Sequence, residues 1–124
     1  MNKQDSAATD ARHIDREHQV QLRLIQSVEA RLAENHDVAE SIEALADYSR
    51  AHFLSEELLM RQYEYADYDD HILDHERMLD WLAELSESKA AAESRLHAVI
   101  ELKALFLRHI AGRDRQLHDF LKTL

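Results

Sequence analysis

This sequence predicts an all-α fold: an up-down-up-down antiparallel four-helix bundle with a short C-terminal helical segment. Three observations carry that prediction. The 124 residues contain no proline and one glycine beside 45% hydrophobic and 32% charged residues, a balance that favours long uninterrupted helices over a turn-rich sheet. Apolar residues recur at steps of three and four in four separate stretches, the period of helices with one buried face. Short breaks at 35–37, 65–70 and 86–89 separate the stretches, and helices joined by short links run antiparallel to their neighbours. Breaks this frequent also argue against one long coiled coil.

Residues 1–10 are polar and small and read as a flexible N-terminal arm, leaving 11–124 as one bundle domain of a size that buries a core unaided. The first helix carries Ile14, His18, Leu22, Ile25 and Leu32 on its inward stripe and stops at Asn35-His36-Asp37. The second places Val38, Ile42, Leu45, Ser49, His52, Glu56, Leu59 and Tyr63 three or four apart and ends near Tyr65. After YADYDD, a third stripe runs His71, His75, Met78, Leu82 and Leu85. The fourth runs Leu96, Val99, Leu102, Phe106 and His109 and meets Gly112, the single glycine. The last segment, RDRQLHDFLKTL, packs back through Leu117, Phe120 and Leu121.

Charge and residue usage exclude several classes. The formal charge of -10 disfavours a nucleic-acid backbone or an anionic membrane as partner, since both call for a basic surface. The absence of cysteine removes disulfides, thiolate metal sites and cysteine nucleophiles, so any metal is held by His and carboxylates. The opening MNKQDSAATDARH lacks the apolar core of a signal peptide, and no apolar run approaches the length that spans a bilayer. A cytoplasmic module is the expectation.

The chemistry lies in polar residues that interrupt the apolar stripes. Residues four apart stack on a helix, so His52 with Glu56, and His71 with His75, each form a two-ligand face. His-x3-His alone is a weak signal and is usually a solvated pair. These pairs, however, stand where the pattern demands burial, and a buried imidazole or carboxylate is costly unless paired or metal-bound. His18 and His109 intrude in the same way on the first and fourth helices, and Asp114 follows His109 by five residues. Five residues place two side chains about 140° apart on an ideal α-helix. Both face one centre only if the helix loosens between them, and Gly112 is where loosening is least costly. Five imidazoles and two carboxylates exceed the ligands one transition ion takes, whereas two ions sharing both carboxylates can use all seven. Ligand type alone leaves iron, zinc and manganese open. Partners for the outer ring nitrogens are expected but not identifiable. His13, His36, His97 and His118 read as surface residues, Met60, Met78, Trp81 and Tyr63 as packing, and Glu57 as solvated.

IDREH, HFLSEELLM, HILDH and HIAGRD, in that order, resemble the motifs of the hemerythrin family and its bacterial domains across roughly residues 13–121. The resemblance implies two non-heme iron ions, one held by His71, His75 and His109, the other by His18 and His52, with Glu56, Asp114 and a hydroxide bridging. It further implies an open position on the second iron for reversible binding of dioxygen, or of nitric oxide, azide or other small anions. Leu22, Phe106 and Ala111 are the expected walls of the gas pocket, which the small residues Ala111 and Gly112 would make roomy. The chain departs from the family in lacking a Trp-containing stretch before IDREH.

The reading that follows is a binding protein for O2 sensing, storage or delivery rather than an enzyme. A diiron enzyme acting on peroxide, nitric oxide or damaged iron centres is the alternative, as is an input domain of a larger signalling protein. The absence of E-x-x-H weighs against a ferritin-like oxidase.

Overall fold

The computed structural model describes residues 3–124 and contains five α-helices: α1 (Lys3–Ala33), α2 (Ala39–Gln62), α3 (Tyr68–Glu87), α4 (Ala92–His109) and α5 (Arg115–Lys122). A π-helical turn, Ile110–Asp114, joins the last two. α1 packs on α2 and α4, α3 packs on the same two, and α5 returns against α1. This is the expected up-down-up-down bundle with its C-terminal segment. Among the described residues no helix is long and apolar enough to cross a membrane.

Backbone hydrogen bonding explains where the helices stop. Asn35 adopts φ 58, its N–H donates to Leu32 O at 3.0 Å, and the N–H of His36 reaches Arg31 O at 2.8 Å. That left-handed closure recovers carbonyls the helix end would otherwise orphan. At the end of α2, Glu64 takes φ 54, and the N–H of Tyr65 reaches Met60 O at 2.9 Å, the same device without glycine.

The core has two apolar layers with a polar one between. The larger layer includes Ile25, Val28, Leu45, Phe53, Met78, Leu82, Leu102 and Phe106. The smaller gathers Ala7, Ala11, Ile14, Met60, Tyr63, Tyr65, Leu117 and Leu121. Each of the four main chain passes crosses from one layer to the other. The seven polar stripe residues therefore meet at one level, sealed from above and below.

Three expectations are corrected. From Lys3 onward the segment expected to be a flexible arm is helix; residues 1–2 lie outside the described residues. Ala7 and Ala11 are buried, and the Tyr63 hydroxyl donates to Asp10 Oδ2 at 3.0 Å. Alanines at the contact hide the helical period from a hydrophobic pattern while letting the backbones approach. Second, the inward residue after His18 is Gln21, 2% exposed, and Leu22 is a half-buried flank. A three-residue step, not four, continues the stripe over this 31-residue helix. Third, Met60 takes the inward place assigned to Leu59, which is half-buried. Met60, Met78 and Tyr63 are core residues and Trp81 packs against the core.

Candidate metal centre

His18, His52, Glu56, His71, His75, His109 and Asp114 converge, none more than 7% exposed. Their ligand atoms form two groups, each within 4.8 Å: Glu56, His71, His75, His109 and Asp114 in one, and His18, His52, Glu56 and Asp114 in the other. The carboxylates are common to both, and they divide their oxygens between the groups. Glu56 Oε1 lies 3.4 Å from His71 Nε2 and 2.9 Å from His75 Nε2, and Asp114 Oδ1 lies 2.9 and 3.0 Å from the Nε2 atoms of His71 and His109. Glu56 Oε2 lies 3.4 Å from His18 Nε2 and 3.5 Å from His52 Nε2, and Asp114 Oδ2 lies 2.8 Å from His18 Nε2.

These distances are short, yet the atoms are not aimed at one another. Every Nε2 of the five imidazoles and all four carboxylate oxygens are buried without a hydrogen-bond partner. Buried polar atoms are almost always satisfied. Nine orphans around shared centres fit a bound metal, and imidazole with carboxylate is a donor set for first-row transition ions.

The π turn delivers the last ligand. Its i→i+5 bonding closes a five-residue interval, so His109 and Asp114 face the same centre, as their spacing predicts. Gly112 is not what permits it: its φ is not positive, and a Cβ there would meet nothing within 4 Å. Ala111 and Gly112 are both exposed. Ala111, directed to solvent by the turn, lines neither of the grooves that reach the centre, and Gly112 borders only the groove beside His109. Phe106 borders a small void, its ring centroid 6.3 Å from that of His18; Leu22, turned to the flank, is not among the residues around that void.

The electrostatics follow from burial competing with charge. Burial opposes protonation of His18, but the facing Asp114 and Glu56 outweigh it and raise its pKa to about 10. For His71 burial is again overcome by the same two carboxylates, and the pKa rises to about 9. Burial prevails at His52 and lowers its pKa. Burial would raise Glu56, yet His18, His71 and His75 hold it well below the ordinary range. Asp114 is likewise held low by His109, His18 and His71 against burial and the neighbouring Glu56. Without metal, the carboxylates of Glu56 and Asp114 and the imidazoles of His18 and His71 favour one another's charged forms.

Three acidic residues support ligand rings from behind. Glu57 Oε2 accepts from His75 Nδ1 at 3.0 Å and Asp74 Oδ2 from His109 Nδ1 at 3.2 Å. Glu17 Oε1 lies 3.3 Å from His52 Nδ1, close but not aligned as a hydrogen bond. Such contacts fix a ring's tautomer and raise its basicity toward a metal. Glu57 is therefore not merely solvated. The three obey a rule that was available in the sequence. One residue turns about 100° on a helix, and the sense reverses when the helix runs the other way. The residue before a ligand on α1 and α3, and after a ligand on α2, swings in the same sense around the bundle. Glu17 thereby reaches α2, Glu57 α3 and Asp74 α4.

On α4 the corresponding residue is Ile110, and there the circuit breaks. A surface groove of about 370 Å³ reaches His18 and Asp114 between Asp15, Ile110, Arg115, His118 and Lys122. The two-imidazole group thus has a route to solvent. His118, 3.4 Å from Asp15, lines this route; His13, His36 and His97 are exposed, as expected. A second groove of about 220 Å³ touches His109.

The family model described as the hemerythrin HHE cation binding domain matches residues 9–121. Comparison with curated proteins and with solved structures gives no match.

Proposed function

From the premise that the chain belongs to the hemerythrin HHE cation-binding family, we propose that it is a non-heme diiron protein that binds dioxygen reversibly, for O2 sensing, storage or delivery. One observation carries the reading: each carboxylate turns one oxygen to a three-imidazole group and the other to a two-imidazole group. That division suits two ions bridged by Glu56 and Asp114, one rich in protein ligands and one poor. Iron in this pair supplies the electrons that dioxygen takes up reversibly. The chain's own part is to hold five neutral imidazoles around it, to keep the poorer half against the groove at His18, and to exclude bulk water with Phe53 and Phe106.

The groove favours a second reading. Its Arg115, His118 and Lys122 admit polar reactants, as an enzyme acting on peroxide would require. Adding O2 to the anaerobically reduced, iron-loaded protein separates the two. A stable, reversible visible charge-transfer band is the expected outcome; immediate diferric product without an adduct would favour turnover. Metal analysis giving one zinc per chain would overturn both.

A further inference from the structure

Gln21 and Ser49 interrupt the apolar core where the centre meets the larger apolar layer. Gln21 follows His18 by three residues in α1, and Ser49 precedes His52 by three in α2. Because α1 and α2 are antiparallel, both stand one turn, about 4.5 Å along the axis, to the same side of the two-imidazole half. They are 2% and 0% exposed.

The pair is satisfied within itself only in part. Gln21 Nε2 donates to Ser49 Oγ at 2.7 Å. Gln21 Oε1, however, is buried with no partner, and a serine hydroxyl that accepts one hydrogen bond keeps a hydrogen to donate. Ile25 and Leu45, one turn further along, are apolar and buried, so leucine at position 21 would continue the stripe and remove an orphaned acceptor that weakens the fold. Gln21, Ser49, Phe53 and Phe106 border a void of about 10 Å³, near the size that admits a single water. No ligand side chain lines the void; its Phe106 ring is 6.3 Å from His18, and its Phe53 ring is 5.6 Å from His52 and 4.1 Å from His75, so it lies one ring away from the centre, while Gln21 and Ser49 share the inward faces of His18 and His52.

We propose that Gln21 and Ser49 form a hydrogen-bonding wall of the ligand pocket, selecting small inorganic ligands whose far atom hydrogen bonds over ligands that offer only an apolar end. The inference rests on the diiron reading above. Ser49 donates to an anionic or lone-pair terminus, and Gln21 accepts from a protonated one.

Azide is the probe, titrated against the oxidised, iron-loaded full chain and followed by its visible band, with iron content measured for every variant. Ser49→Ala is expected to weaken azide by about tenfold, the scale of one hydrogen bond to a charged group, and Gln21→Leu, which removes only the group that orients the Ser49 hydroxyl, to weaken it less. The azide stretching frequency should shift between H2O and D2O in the parent protein and not in Ser49→Ala. The metal-free Gln21→Leu protein should melt close to the parent, because it removes one orphaned acceptor and leaves Ser49 Oγ without its partner, which separates the loss of a ligand contact from damage to the fold. Affinity within twofold of the parent in both variants, with the isotope shift retained, overturns the inference and leaves the diiron centre standing. A parent protein that gives no azide-dependent spectrum overturns the diiron reading and this inference with it.

Discussion

Loading the metal-free protein with ferrous iron should expel protons from the protein itself. An imidazole binds a metal through the lone pair a proton would occupy, and each half of the centre holds an imidazole whose pKa is raised above neutral pH. In the three-imidazole half it is His71, with a pKa of about 9; in the two-imidazole half it is His18, at about 10. At pH 7 proton competition lowers the apparent affinity of the first half about 100-fold and of the second about 1000-fold. Each half regains about tenfold per pH unit until pH passes its own pKa. Anaerobic titration in a pH-stat at pH 7, repeated by calorimetry in buffers of different ionisation enthalpy, reads the release directly. At least two protons per chain are expected, since water on the metal can only add to the count. Release of fewer than one would show that His18 and His71 are already neutral and that the charge coupling drawn for the metal-free centre is wrong.

The same groups set a pH dependence of folding. Both pKa values exceed the ordinary imidazole value of 6.5, so their stabilisation of the metal-free protein is full below that value and is lost as pH rises through about 9 and then about 10; denaturant midpoints across that range should fall. Glu57→Gln, which weakens the contact behind His75, should lower metal affinity by about 10- to 100-fold in chelator competition. Phe53→Ala removes a buried ring stacked 4.1 Å from His75 and should cost about 3–5 kcal/mol of metal-free stability by denaturant titration. Ala111→Leu and Gly112→Ala point into solvent; both should leave azide-binding rates unchanged by stopped flow, and Gly112→Ala should add up to about 1 kcal/mol of stability. Slower azide entry in Ala111→Leu would restore that residue to the pocket.

The ligand positions were readable because imidazoles and carboxylates on an apolar stripe violate its own rule. The helix order, the breaks and the five-residue loosening before Asp114 follow from spacing alone. Spacing failed where two inward registers compete. After His18, Leu22 is the more apolar choice and Gln21 the better aligned one, and hydrophobicity cannot see a glutamine that shares a buried hydrogen bond with Ser49. Phe53, just beside the α2 stripe, was missed because its ring fills the gap between ligands of two helices, a matter of packing across the bundle. The N-terminal turns of α1 were hidden by alanine, which carries helix propensity with little hydrophobic signal. Glu57 read as solvated, and Glu17 and Asp74 drew no notice, because their partners lie on other helices.

The π turn also decides which changes of chain length the last helix can absorb. His109, Asp114, Leu117 and Leu121 all face inward although the first interval is five residues. Delete one residue between 110 and 113, and the intervals become four, three and four, the inward period of an unbroken α-helix. The carboxylate and both leucines would keep their face. Insert one instead, and all three swing about 100° away together, taking a ligand from the centre and two side chains from the smaller apolar layer in a single step. Chain length here can shrink by one residue but not grow by one.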